Sequence, residues 1–357
     1  MFSKSAFLIA FISICTSTQA QVGISAPPVS SPALAICTNL ELQKQVPCPD
    51  SALFFHEGKA LVQRAFNERQ FATLDTLYDQ WCSGKDRFPD GRWKLSQYEA
   101  ALHENFDAWN TWSRDLDAIK SWKSVSPNSA AAIFSEAVYW RAYAWKARGA
   151  DYASTVSKEG WELFYERLSK AESALASSNI STGCAAPYAL RLSVLTELGA
   201  QEERLASLYE EASRKHPEYH GIYFAMAMHY EPQWGGSAAK YESFANKAAE
   251  QTKAFEGMGM YARLYWLVDY HQGIPFTNDP RQAPSWKKLK LGYDDLVRLY
   301  PSSIHNIGKY AGVACRTPDS DLYRKLRTKI AGYEQSAQMV DPVDVCDRRH
   351  QWGTSKE

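Results

Sequence analysis

From Ser51 to about Gln335, apolar residues recur at three- and four-residue intervals, and no window of that stretch alternates as a strand would. Such a chain must bury helical stripes against one another. In residues 129–148, Ile133, Ala137, Trp140 and Ala144 share a face, Lys146 and Arg148 suit the negative helix end, and Gly149 offers a left-handed stop. In residues 157–177 the stripe is Trp161, Phe164, Tyr165, Leu168, Ala171 and Leu175, with Ser157 as the cap. These two segments predict an antiparallel helical hairpin. Another follows at once: Pro187 suits the first turn of a helix that Gly199 ends. Leu205, Leu208, Tyr209 and Ala212 then line the next helix until Pro217 stops it.

A helix, a proline and a new helix recur at Ser126-Pro127-Asn128, His216-Pro217-Glu218 and Tyr300-Pro301-Ser302. Before Pro217, Tyr209 and Ala212 sit where the second helix of a tetratricopeptide repeat carries an aromatic and a small residue. Trp122 and Leu296 occupy the small-residue position in the other two, and the prolines lie 90 and 84 residues apart. Neither spacing is a multiple of the repeat's ~34 residues. The predicted fold is all-α: a tetratricopeptide-like α-solenoid of stacked antiparallel hairpins, with degenerate repeats. Further helices are predicted over residues 52–69, 71–82, 93–108, 113–123, 218–230, 238–255, 259–271, 285–300, 303–314 and 320–335, with a break near Asn110. The predicted organisation is a signal peptide at 1–20, a Pro-rich extended leader at 21–50, a helical-repeat domain at 51–338 and a C-terminal tail at 339–357.

Residues 1–20 read MFSKSAFLIAFISICTSTQA. Lys4 precedes an apolar run that is too short for the ~20 residues of a membrane helix, and the small residues Thr18 and Ala20 follow. This pattern predicts cleavage after Ala20 and export to the periplasm or the extracellular space. Cys15 follows Ile14, not the small residue that lipidation requires. No later run is long enough to cross a membrane. Removing the signal leaves Cys37, Cys48, Cys82, Cys184, Cys315 and Cys346, an even set that suits disulfides in an oxidising compartment. Cys37 with Cys48 and Cys315 with Cys346 are the expected near pairs. Cys82 with Cys184 follows by elimination, against the alternative of two buried thiols.

Lys+Arg and Asp+Glu both number 40, so no global field draws nucleic acid, and none is expected as a partner. Twelve tryptophans and 45% apolar residues fill a substantial core instead. The chain has no HExxH, GxSxG, phosphate-binding glycine loop or dinucleotide fingerprint. His216 and His220 have metal-ligand spacing but flank Pro217, so neither a metal nor another cofactor is expected. The carboxylates are scattered and name no glycosidase pair.

Three strings are distinctive: WRAYAWKARGADYASTVSKEGWELFYERLSKA at 140–171, EPQWGGSAAKYESFA at 231–245 and MYARLYW at 260–266. Together they resemble an uncharacterised bacterial family, a domain of unknown function with tetratricopeptide-like helices, in which an aromatic helix ends in Arg-Gly and a Trp-Gly-Gly loop opens a later helix. The resemblance runs from about Ala52 to Trp352. It implies the fold and no activity. In the loop, Gly235 and Gly236 permit a tight turn before Ser237 caps the next helix. The expected function is a protein- or peptide-binding module, since a solenoid offers an extended concave surface. The alternatives are a glycan- or peptidoglycan-associated binder or hydrolase, and a toxin-neutralising or secretion accessory protein. The expected binding residues are Trp145, Arg148, Trp161, Trp234, Arg263 and Trp266. They would form one groove whose two arginines pair with a partner's carboxylates.

Overall fold

A computed structural model describes residues 36–39, 44–47, 51–108, 110–176, 183–272 and 284–353. Within the leader two short extended segments pair. These are β1 (Ile36–Asn39) and β2 (Lys44–Pro47), antiparallel, with Ile36 opposite Pro47. Ile36, Thr38 and Val46 supply the β-branched residues that favour such a pair, and a two-strand pattern this short escapes a search for helical periodicity. The signal segment and the Cys37–Cys48 pairing lie outside the described residues.

Among the described residues after the leader, the regular elements are helices. The elements are α1 (Ser51–Asn67), α2 (Phe71–Gly84), α3 (Leu95–Ala108), α4 (Trp112–Val125), α5 (Ala130–Arg148) and α6 (Lys158–Leu175). They continue with α7 (Ala186–Glu197), α8 (Glu202–Lys215), α9 (His220–His229), α10 (Ala238–Glu256) and α11 (Gly259–Gln272). The last are α12 (Trp286–Leu299), α13 (Ile304–Cys315), α14 (Ser320–Ile330), α15 (Glu334–Ala337) and α16 (Val343–Arg349). The starts follow cap chemistry. The Ser157 hydroxyl accepts from the Gly160 N–H at 3.0 Å, and the hydroxyls of Ser129, Ser237, Ser285 and Ser303 cap α5, α10, α12 and α13 in the same way. Gly149 ends α5 at φ +74, but its ψ of 176° is extended, not left-handed helical. In the Trp-Gly-Gly loop, Gly235 takes φ +90. A side chain at Gly236 would sit 2.0 Å from the Tyr230 carbonyl oxygen.

Two layers emerge from which faces are buried. The even helix α8 buries one stripe, Leu205, Leu208, Tyr209 and Ala212, and α14 buries Tyr323, Leu326 and Ile330. The odd helices between α3 and α13 are covered on most sides. In α9 the run Ile222, Tyr223, Ala225, Met226, Ala227 and Met228 is buried, and α5 and α13 are similar. Helix α1 packs on α3, α3 on α5, and α7 on α9, while α5 pairs extensively with α6. The first and late helices also meet: α1 contacts α13, and the turn before α3 reaches α11 and α13. The Asp90 carbonyl accepts from Arg263 Nη2 at 3.0 Å and from Asn306 Nδ2 at 3.1 Å. Gly91, at φ +83, lies so close to Tyr300 and Arg263 that a Cβ would fall 2.4 Å from the tyrosine ring.

Two disulfides are present. Cys82–Cys184 spans 102 residues between the end of α2 and the start of α7, and Cys315–Cys346 ties α13 to α16. The tail is therefore more than an appendage held by one bond. Asp347 accepts from Tyr323 Oη and Arg327 Nε, and Arg349 donates to the Cys315 carbonyl. No described helix is long and apolar enough to cross a membrane.

Candidate functional site

The odd helices converge on one cleft with about 1060 Å³ of empty space, counted to its open mouth. Several walls are helical stripes, because side chains three or four residues apart share a face. Helix α3 gives Ser96, Glu99 and His103; α5 gives Arg141; α7 gives Ala189 and Ser193. Helix α9 gives His220, Phe224 and Ala225; α11 gives Arg263 and Trp266; α13 gives His305. Trp93 and Tyr219 close the wall from the turns that precede α3 and α9. Trp93 is fixed there by its Nε1, which donates to the Glu218 carbonyl at 3.0 Å, and by the Arg87 guanidinium stacked 4.4 Å from its ring centroid.

The cations around the cleft already have anions. Arg141 is bidentate on Glu197, at 3.0 Å from Nε and 2.6 Å from Nη2, and both side chains are buried. Arg263 is bidentate on Glu256, at 2.9 and 3.1 Å. Glu256 also accepts from Tyr300 Oη at 2.9 Å and contacts His220 Nε2 at 3.2 Å. Burial by itself would raise the Glu256 carboxyl, but Arg263 and His220 hold it well below the usual carboxylate range. Arg92 Nε donates to Asp90 at 2.6 Å. Burial opposes that charge too, yet Arg92, His305 and Arg263 bring Asp90 down to about 2.

The neutral polar groups are different. Tyr219 and His305 are only 2% and 6% exposed, and both line the cleft. Among the described residues, no hydrogen bond engages the Tyr219 hydroxyl, the His305 ring or the His103 ring. Glu99 has no hydrogen bond either; its nearest cation is Arg141 Nη1 at 3.8 Å. Burial lowers His103 to about 4, with Arg141 adding to the effect. Burial, then Arg92 and Lys309, pushes His305 well below its ordinary value. Both rings are neutral at neutral pH and present one donor and one acceptor. Burial and the nearby Glu197 raise Glu99, against the pull of Arg141.

The six residues expected to form one groove fall into two groups. Trp145, Arg148, Trp161 and Trp234 pack together beside α5 and α6. The Arg148 guanidinium lies 5.7 and 5.3 Å from the Trp145 and Trp161 ring centroids, and Trp234 stands edge-on to Trp145 at 6.2 Å. Arg148 is buried and donates to the carbonyls of Gly149 and Asp151, so it serves its own helix end. Arg263 and Trp266 line the cleft instead, with the arginine held by Glu256 and the tryptophan edge-on to His305 at 5.4 Å. Trp145 joins the two regions indirectly, since its Nε1 donates to Glu197, the carboxylate that holds Arg141. The two arginines thus lie in different regions, each already engaged within the chain. Glu99, His103, Tyr219 and His305 escaped the sequence reading. For Glu99 and His103 the signal was their helical spacing with Ser96, beside the buried stripe of Tyr98, Ala101, Leu102 and Phe106 on the same helix; Tyr219 and His305 gave none. Comparison with protein-family models, with curated proteins and with solved structures gives no match to this chain.

Proposed function

We propose that this chain is an exported binding protein: a tetratricopeptide-like array of hairpins, drawn round until its first and late helices touch, that works through the inner cleft. The observation that carries the reading is that six helices each direct side chains into a single cleft whose arginines are already paired with carboxylates. Side chains locked by their own ion pairs form a preformed site that loses little freedom on binding. Two disulfides and the absence, among the described helices, of any membrane-crossing segment suit export to an oxidising compartment. The expected protein or peptide partner carries over in the narrower form that a cleft between helices admits, a short extended segment or a small ligand. A whole folded face could not enter. Nothing in the cleft calls for a reaction.

The test is to fill the cleft. Ala189 and Ala225 line it with small side chains that do not hold the fold's ion pairs. Ala225→Leu and Ala189→Leu should leave the far-ultraviolet circular dichroism spectrum unchanged and abolish the thermal stabilisation given by ligands from a mixed panel of peptides and oligosaccharides. Binding that survives both substitutions would move the working surface elsewhere. A glycan reading is the second one. It is favoured by the pairing of Trp93 and Trp266 with the carboxylates Glu99 and Glu104 in the same cleft.

A further inference from the structure

Resting on the cleft reading, we propose that the ligand is a neutral sugar, its ring face laid on the aromatic wall and its hydroxyls shared among Glu99, His103, Tyr219 and His305. What the cleft leaves uncommitted decides this chemistry. An anion needs a cation whose charge is still open. Arg141 and Arg263 keep Nη1 outside their pairs, but each guanidinium's charge is already offset by a buried bidentate carboxylate, and Arg92 is held by Asp90. An incoming carboxylate or phosphate would lie beside a carboxylate already seated, with no cation left to balance it. A cation would meet Glu99, but with the Arg141 guanidinium 3.8 Å away. A purely apolar ligand would strand the Tyr219 hydroxyl and the His305 ring, both more than nine-tenths buried and aimed into the cleft.

A hydroxyl group is donor and acceptor at once. It donates to the Glu99 carboxylate or to the bare nitrogen of a neutral imidazole, and it accepts from the Tyr219 hydroxyl or from an imidazole N–H. Several hydroxyls on one small ring meet that mixture of needs, and the ring's C–H faces meet the aromatic wall of Trp93, Phe224 and Trp266. A peptide backbone also carries donors and acceptors, but these walls are helices whose backbone groups bond internally, so only side chains could read it, and the peptide probes below test that reading.

The experiment is isothermal titration calorimetry of the purified chain with maltotriose, cellotriose and tri-N-acetylchitotriose, and with triglutamate and a Phe-Tyr-Phe tripeptide as the charged and peptide probes. At least one trisaccharide should bind, with affinity unchanged between about 50 and about 500 mM salt because no ion pair forms. Ala225→Leu should abolish that binding. Tyr219→Phe, which deletes one oxygen and keeps the ring, should weaken it at least tenfold with an unchanged circular dichroism spectrum, and His305→Phe should do the same. Binding of a peptide probe that Ala225→Leu abolishes, with no sugar bound, would overturn the sugar and leave the cleft. Sugar binding that ignores Tyr219→Phe and His305→Phe would also overturn it. No probe bound in a manner that Ala225→Leu abolishes would overturn the cleft reading itself.

Discussion

Glu256→Gln tests whether the closure of the array depends on a buried charge. Glu256 ends α10 with 2% of its side chain exposed and gathers groups from four parts of the chain: Arg263 of α11, His220 of α9, Tyr300 after α12, and Arg87 at 3.7 Å. A glutamine keeps the shape. If its carbonyl oxygen takes the place that receives Arg263 Nη2 and Tyr300 Oη, its NH₂ must face Arg263 Nε, a donor against a donor at 2.9 Å. The guanidinium, 7% exposed, is then buried without its counterion. Breaking one side of a buried pair costs about 3–5 kcal/mol. With an unfolding entropy of ~2.1 cal/mol/K per residue over roughly 300 ordered residues, the melting temperature should fall by about 5–8 °C. Thermal unfolding followed by circular dichroism measures it. The paired replacement Glu256→Leu with Arg263→Met removes both charges, and it should regain at least half of the loss because an apolar pair of similar volume is often neutral. A single mutant within about 2 °C of wild type, or a double mutant no better than the single, would refute the reasoning.

Three further outcomes follow from the same structure. Asp90 is depressed from 3.8 to about 2 by Arg92, His305 and Arg263, so its stabilisation is complete above about pH 4 and lost as the pH falls through about 2. The gap in melting temperature between wild type and Asp90→Asn should accordingly shrink between pH 4 and pH 2, and a constant gap across that range would contradict the assignment. Cys346→Ser opens the 31-residue Cys315–Cys346 loop and should cost about 3.5–4 kcal/mol in chemical denaturation; a negligible shift would mean that Asp347 and Arg349 hold α16 without it. Gly91→Ala should destabilise far more than Gly149→Ala, although both glycines have positive φ. Only at Gly91 would the new methyl meet Tyr300 and Arg263, and equal losses in chemical denaturation would deny that the turn is packed there.

The helices themselves were legible. Stripes such as Leu205, Leu208, Tyr209 and Ala212, caps such as Ser157, and stops such as Gly199 and Pro217 are local features, and α8 starts and ends where they place it. The break at Asn110 was legible for the same reason: the structure puts that residue at φ +51, just before α4. Cysteine parity pointed to Cys315–Cys346 by nearness, and Cys82–Cys184 emerged only by elimination, because a 102-residue separation carries no local signal. The site was half legible. Arg263 and Trp266 stood out by composition, but a charged or aromatic residue looks the same in sequence whether it faces a partner or an interior carboxylate.

What the sequence determined by itself is the all-α class, the order of helices as far as α14 and the spacing of side chains along each, since these depend on residues within a turn or two of one another. The break after Ile330 and the short helices α15 and α16 emerged only in the structure. Only the tertiary structure decided that α1 meets α13, that Arg148 serves its own helix end while Arg263 is held by Glu256, and that Glu99, His103, Tyr219 and His305 face one space. Helical periodicity fixes which residues share a face but not which faces meet. Partners 173 and 216 residues apart, as Asp90 is from Arg263 and Asn306, are chosen by packing of the whole array.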